Sequence, residues 1–181
     1  MKQILQNVRG TRDIFGLDIE KYNFLVNTAK KISSNYNFSE LNTPILEFSE
    51  VFERNLGEGS DIILKEVYRF EDRGGNMLSL RPEFTAGIVR SFLANGELNQ
   101  NLPQKFFSYG SIFRYERPQK GRYRELHQIN FEYIGSKEYI ADVEILLIAN
   151  NILKEIGIQN IQIEINSLGS ESCKQKYEEA I

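Results

Sequence analysis

The chain has little of what builds metal sites and covalent staples: one cysteine, Cys173, and one histidine, His127, in 181 residues. A lone cysteine excludes an intrachain disulfide and fits a reducing compartment. Two such ligands are too few for a zinc site built by the protein itself, so no metal site is expected. Prolines are few, and no low-complexity linker or internal repeat interrupts the chain. No stretch approaches the roughly 18 uninterrupted apolar residues that a membrane helix needs. Behind Lys2 there is no apolar segment of the kind a signal peptide carries. A cytoplasmic protein with no membrane contact is expected.

What is present is an ordinary globular composition, 41% hydrophobic and 26% charged, with a net charge of −3. The charge is unevenly spread. Between Arg114 and Arg124 five basic side chains stand against the single acid Glu116. A mildly acidic chain with one concentrated basic segment points to local phosphate handling rather than general coating of nucleic acid.

Periodicity divides the chain into elements. Tyr22, Leu25, Val26, Ala29 and Ile32 fall at helical spacing, which predicts a helix over 18–37 with Asp18 as its cap. Pro44 makes the segment around it extended, and a short helix follows over 49–56. Residues 67–72 and 77–81 read as two strands joined by a turn containing Gly74 and Gly75. Thr85 caps a helix through Leu93. Residues 106–116 and 125–135 read as a second strand pair, joined by the basic loop 117–124. A helix over 139–156 follows, with Val143, Leu146, Leu147, Ile148 and Leu153 as its apolar residues. Ile161, Ile163 and Ile165 alternate with polar neighbours, as in a half-buried strand, and 170–181 begins another helix. The sum is an α+β chain, a mainly antiparallel sheet flanked by helices, which pack on one face.

Two constellations carry polar chemistry. If the strands around the basic loop are paired, Arg114 and Glu116 share one face of the first, and Gln128, Asn130 and Glu132 share one face of the second. His127, Ile129, Phe131 and Tyr133 lie on the opposite, more apolar face, where a histidine is more often packed than catalytic. A charged face on a central hairpin is costly unless it meets a polar ligand, and arginine matches phosphate oxygens with paired donors. Alternation alone leaves open whether that face meets a ligand or solvent. The second constellation is the strand-to-helix junction Arg81-Pro82-Glu83-Phe84-Thr85. A carboxylate beside a hydroxyl there can receive an ammonium group; a plain helix start explains the same residues.

The run Arg114-Tyr115-Glu116-Arg117-Pro118-Gln119-Lys120-Gly121-Arg122-Tyr123-Arg124, followed by His127-Gln128, resembles motif 2 of histidyl-tRNA synthetases, which are class II enzymes. Leu80 to Gly87 is similar to that family's amino-acid-binding segment. Val8-Arg9-Gly10-Thr11-Arg12-Asp13 resembles its N-terminal Arg-Gly-x-x-Asp element, the surroundings of Pro44 its dimer-forming motif 1, and Asn166-Ser167-Leu168-Gly169 a further segment common in these enzymes. Several matches in the family's order are far more specific than any one.

The resemblance implies the N-terminal portion of a class II catalytic core over 1–181, with motif 3 and the anticodon-binding domain beyond it. It implies activation of L-histidine with ATP and Mg2+, and transfer to tRNA(His) by a homodimer. Arg114 would be catalytic, binding the α-phosphate and the histidine carboxylate. Glu83, Thr85, Gln128 and Glu132 would join it in binding histidine, Glu132 facing the imidazole. Glu116, Arg122 and Leu126 would hold ATP. Arg117, Gln119 and Lys120 would approach the tRNA acceptor end. Phe84 stands where the family often has glycine, and Leu126 where an aromatic usually stacks on adenine. A histidine-sensing, catalytically silent paralogue, the regulatory subunit of ATP phosphoribosyltransferase, is the alternative; its motif 2 loop is usually eroded, whereas this one is intact.

Overall fold

The computed structural model of the protein describes residues 5–53, 66–96, 102–117, 119–166, 169 and 173. An N-terminal segment without regular structure leads into α1 (Leu17–Asn35). Gly16, at φ 56°, occupies the cap position without a side-chain hydrogen bond, and Asp18 sits inside the first turn. The expected Asp18 cap is therefore misplaced. Its carboxylate meets the positive end of the helix dipole instead of a particular N–H.

Short β1 (Ser39–Glu40) and β2 (Leu46–Phe48) flank the Pro44 segment, and α2 (Glu50–Glu53) follows. The remainder of the short helix expected over 49–56 lies outside the described residues. Next come β3 (Arg69–Glu71), β4 (Met77–Leu80), α3 (Thr85–Ala94), β5 (Gln104–Phe113), β6 (Glu125–Ile134) and α4 (Tyr139–Glu155). Two three-stranded sheets result. In one, β5 is central, parallel to β1 and antiparallel to β6; in the other, β4 pairs antiparallel with β2 and β3.

The β5–β6 register is unbroken from Gln104↔Ile134 to Phe113↔Glu125. Period-two alternation then sorts the side chains by face. Phe107, Tyr109, Ile129, Phe131 and Tyr133 pack with Ala29 and Ile32 of α1 and Ile148 and Ile152 of α4. Phe106 and Ile112 point the other way, onto Phe84, Ile88 and Phe92 at and within α3. Helices thus cover both faces of this sheet rather than one. The burial of consecutive Phe106, Phe107 and Ser108 is what a strand covered on both sides looks like.

Arg81 bolts the two sheets together. Its backbone N–H donates to Ile45 O and its carbonyl accepts from Phe113 N–H, both at 2.9 Å. Its Nε donates to Ser111 O at 2.8 Å and its Nη1 to Thr43 O at 2.7 Å, while the guanidinium lies 4.2 Å from the Phe84 ring centre. Burial pulls the group below the ordinary guanidinium range, against the opposing pull of Glu47.

In α4, Ala141, Ile148 and Ile152 form the buried face, and Val143 and Leu147 are exposed. One expectation fails in the last third. Residues 161–165 form no strand: alternation supplies a face, but a strand also needs a neighbour to pair with, and none of the described strands pairs there. The helix expected over 170–181 falls outside the described residues except at Cys173. Among the described residues no helix is long and apolar enough to cross a membrane.

Candidate active site

The polar face of the β5–β6 hairpin carries Gln128, Asn130 and Glu132, opposite Gly110, Ser108 and Phe106. Beside it lies the junction from β4 into α3. Glu83, not Thr85, closes that helix end. Its Oε2 accepts from the Thr85 N–H and its Oε1 from the Ala86 N–H at 2.8 Å, satisfying two orphan donors where the dipole favours a negative charge. That frees the Thr85 hydroxyl, which donates to Glu132 Oε1 at 2.5 Å. Asn130 Nδ2 donates to the same oxygen at 3.0 Å. Glu132 is thereby held by two donors from different elements.

Arg114 follows the last residue of β5. Its Nε donates to Pro82 O at 3.0 Å, the carbonyl that precedes Glu83 in the chain. Gln128 lies on the same face, with its Oε1 buried and, among the described residues, accepting no hydrogen bond. A buried acceptor without a donor is costly unless a ligand supplies one. Thr85 and Glu132 are thus in direct contact, Arg114 is tied to the backbone beside Glu83, and Gln128 shares the β6 face of Glu132.

The basic loop is organised as well. β5 ends at Phe113, so Arg114 and Glu116 do not alternate along a strand as expected; Glu116 N–H folds back onto Arg114 O at 2.8 Å. Glu116 Oε2 nevertheless meets Arg122 Nε at 3.6 Å. Gln119 and Arg122 bridge across a tight turn in which Gly121 takes φ 82°, a conformation glycine adopts freely. Arg117, Gln119 and Lys120 are exposed at this tip. Leu126 is partly buried against the Phe84–Ile88 cluster and lines a cavity of about 100 Å³ with Arg12, Ile14 and His127.

His127 departs from expectation in its exposure. It lies on the α1-facing side, but among the described strands β6 is the sheet's edge, and the ring is exposed, edge-on to Tyr22 at 4.8 Å and 3.4 Å from Ser111 Oγ. Burial, and then the neighbouring Tyr109, raise the Tyr22 phenol above its usual range.

Sequence reasoning assigned no role to Arg81 or Asn130, and did not foresee the contact of the N-terminal segment with Arg124. Arg81 stands beside Pro82 and Glu83 in sequence, and an arginine inside an otherwise apolar strand end is the one signal that could have drawn attention to it.

A profile described as histidyl-tRNA synthetase matches residues 10–169. A histidine–tRNA ligase of Neorickettsia sennetsu is 50% identical over 177 residues, covering 98% of this chain and 42% of that protein. One from Rickettsia prowazekii is 44% identical over 182 residues, covering 100% and 44%. The chain therefore spans less than half the length of these curated relatives. The crystal structure of apo Staphylococcus aureus histidyl-tRNA synthetase superposes with a TM-score of 0.80 at 31% identity, over 98% of this chain and 41% of that one. A Bacillus halodurans protein described as an ATP phosphoribosyltransferase regulatory subunit/histidyl-tRNA synthetase shares the fold, with a TM-score of 0.75 at 23% identity, over 88% and 40%. The fold is the α+β catalytic fold of class II synthetases. With a profile matched along most of its length and relatives near half identical from end to end, this chain belongs to the histidyl-tRNA synthetase family.

Proposed function

We propose that the chain is the N-terminal part of a longer histidine–tRNA ligase, the part that receives histidine and the phosphates of ATP. What supports this is that Thr85 bonds Glu132 while Arg114 bonds the Pro82 carbonyl beside Glu83, and that Gln128, on the Glu132 face of β6, carries a buried oxygen with no partner among the described residues. The histidine ammonium group donates to Gln128 and Glu83, with Thr85 beside it. Glu132, already steadied by Thr85 and Asn130, accepts from the imidazole. Arg114 holds the histidine carboxylate against the α-phosphate of ATP.

A carboxylate oxygen forms a bond to the α-phosphorus, the bond to the β-phosphate oxygen breaks, and pyrophosphate leaves with the electron pair. No covalent enzyme intermediate is needed, so the work is positioning and charge stabilisation. Glu116 and Arg122, adjacent at the loop, steady the nucleotide, and Leu126 covers one face of adenine by apolar contact. Mg2+ would enter with ATP as part of the substrate and offset the phosphate charge. Arg117, Gln119 and Lys120 at the exposed tip meet the phosphates near the acceptor end of tRNA(His).

A homodimer through the Pro44 region has its own support. Ile45, Leu46 and Phe48 are exposed, and Phe48, Val51, Val89 and Leu93 line a groove of about 480 Å³ over the 2.5 Å ion pair between Glu47 and Arg90. A contiguous apolar surface of this kind favours association with another protein surface. The proposed setting is the cytoplasm.

Histidine-dependent ATP–pyrophosphate exchange by the longer protein tests the reading. Exchange with histidine and with no other amino acid is the expected result. Histidine binding without exchange identifies the silent regulatory paralogue instead. The 181-residue chain alone is expected to give little or no aminoacylation.

A further inference from the structure

The N-terminal segment makes a specific contact that the proposed reaction does not itself require. Gly10 O accepts from Arg124 N–H at 2.7 Å and from Glu125 N–H at 3.2 Å. On its other side Arg124 gives its own carbonyl to Arg114 N–H at 2.9 Å. Gly10, Arg124 and Arg114 thus form a run of backbone hydrogen bonds across three segments, ending at the residue whose Nε grips Pro82 O. The segment is itself braced, since Thr11 returns both its N–H and its hydroxyl to Val8 O at 2.9 and 2.8 Å, and the Arg12 guanidinium lies 4.8 Å from the Tyr123 ring centre.

The Arg124 side chain completes the arrangement. It lies 4.0 Å from the Tyr115 ring centre and donates from Nε to Glu116 O at 3.3 Å, so it holds the residues just past Arg114 against the returning arm of the loop. It reaches this place only because position 10 has no side chain. A Cβ on Gly10 would stand 2.8 Å from Arg124 Cγ and 3.0 Å from Cβ and Cδ, and the φ of +88° disfavours any L side chain there.

We propose that the strap of residues 8–12 is a positioning element for Arg114, with Gly10 as its key residue acting through the backbone of Arg124. The strap fixes where the loop root sits, and thereby where the Arg114 guanidinium meets the α-phosphate; this rests on the reading of Arg114 given above. A guanidinium displaced by an ångström still binds substrate but no longer matches the charge developing at phosphorus, so the loss falls on turnover rather than on histidine affinity.

The test is Gly10→Ala in the longer enzyme, read by ATP–pyrophosphate exchange and by residue-resolved amide hydrogen exchange. We expect kcat to fall at least about 30-fold while the KM for histidine moves less than about 3-fold. Protection is expected to fall at the Arg114 and Arg124 amides while Phe107 and Phe131 in mid-sheet keep theirs. Arg124→Ala removes Cγ and Cδ, two of the three atoms that Gly10→Ala strikes, and leaves Cβ, so the double variant is expected to lose less than the two single losses combined. Where Gly10→Ala does not fold, Arg12→Ala, which loosens the strap from Tyr123 without adding an atom, carries the same readouts at a smaller loss of about 5-fold. Wild-type turnover in these variants, or a loss of protection spread evenly through the sheet, overturns the proposal. If the wild-type enzyme itself gives no histidine-dependent exchange, the reading of Arg114 fails, and the hydrogen-exchange result alone decides whether the strap holds it.

Discussion

The Thr85 hydroxyl donates a 2.5 Å hydrogen bond to Glu132 Oε1, joining the start of α3 to β6 across 47 residues of sequence. With Asn130 on the same oxygen, the carboxylate arrives at the site already oriented. Thr85→Val keeps the shape and removes the donor. It is expected to raise the KM for histidine roughly 10-fold, the worth of one hydrogen bond to a charged group, with kcat little changed. Glu132→Ala, which removes the acceptor, should weaken histidine binding further, and the pair should be strongly non-additive, because each change removes the same bond. Steady-state exchange kinetics on the four proteins of the cycle check this; simple additivity contradicts it.

Arg81 is a stability residue. Replacing it with methionine keeps much of the stem's packing but strands the carbonyls of Thr43 and Ser111, both of which its guanidinium now satisfies. The expected cost is about 2–4 kcal/mol in urea unfolding. A loss under about 0.5 kcal/mol, the scale of an ordinary surface change, would remove Arg81 from its place as the tie between the sheets.

These two residues mark the limit of what pattern reading reaches. The helix over 17–35, the strand pair around Gly74–Gly75, the β5–β6 hairpin and the helix over 139–155 follow from local periodicity, and each appears within a few residues of its expected bounds. The faces of β6 follow from alternation, which brought Gln128, Asn130 and Glu132 together correctly. Alternation failed at 161–165, where no strand pairs, and for Glu116, where β5 had already ended. Contacts such as Thr85 to Glu132, Arg81 to Thr43 and Gly10 to Arg124 join distant segments, and no local periodicity encodes them. At the α3 start the polar residues were identified but their roles exchanged: Glu83 closes the helix, and Thr85 reaches across to β6.

The β3–β4 turn carries a pH prediction. The Asn76 side chain first, then backbone N–H groups of Asn76, Gly74 and Gly75, hold the Asp72 carboxyl below its ordinary value of 3.8. A lowered folded-state pKa stabilises the hairpin above the unfolded value, and this contribution is lost as pH falls through the folded one. An NMR titration should place the Asp72 midpoint under 3.8, and Asp72→Asn should remove that part of the acid sensitivity. A midpoint at or above 3.8 contradicts the turn geometry.

Phe48 is 58% exposed beside the Glu47–Arg90 pair. Phe48→Glu puts a charge on an apolar surface without touching the core, so it should weaken self-association at least about 10-fold and leave the melting temperature of the monomer nearly unchanged. Sedimentation velocity across a concentration series reads the first quantity. Equal association of the two proteins would move the interface away from the Pro44 segment.

The most direct measurement is the rate of histidine-dependent ATP–pyrophosphate exchange by the longer enzyme, wild type against Arg114→Lys. Lysine keeps the charge but loses the planar fork, so turnover should drop at least about 100-fold while histidine binding measured by calorimetry without ATP changes only a few-fold. Exchange at the wild-type rate in Arg114→Lys would contradict the assignment of Arg114 to the reacting phosphate.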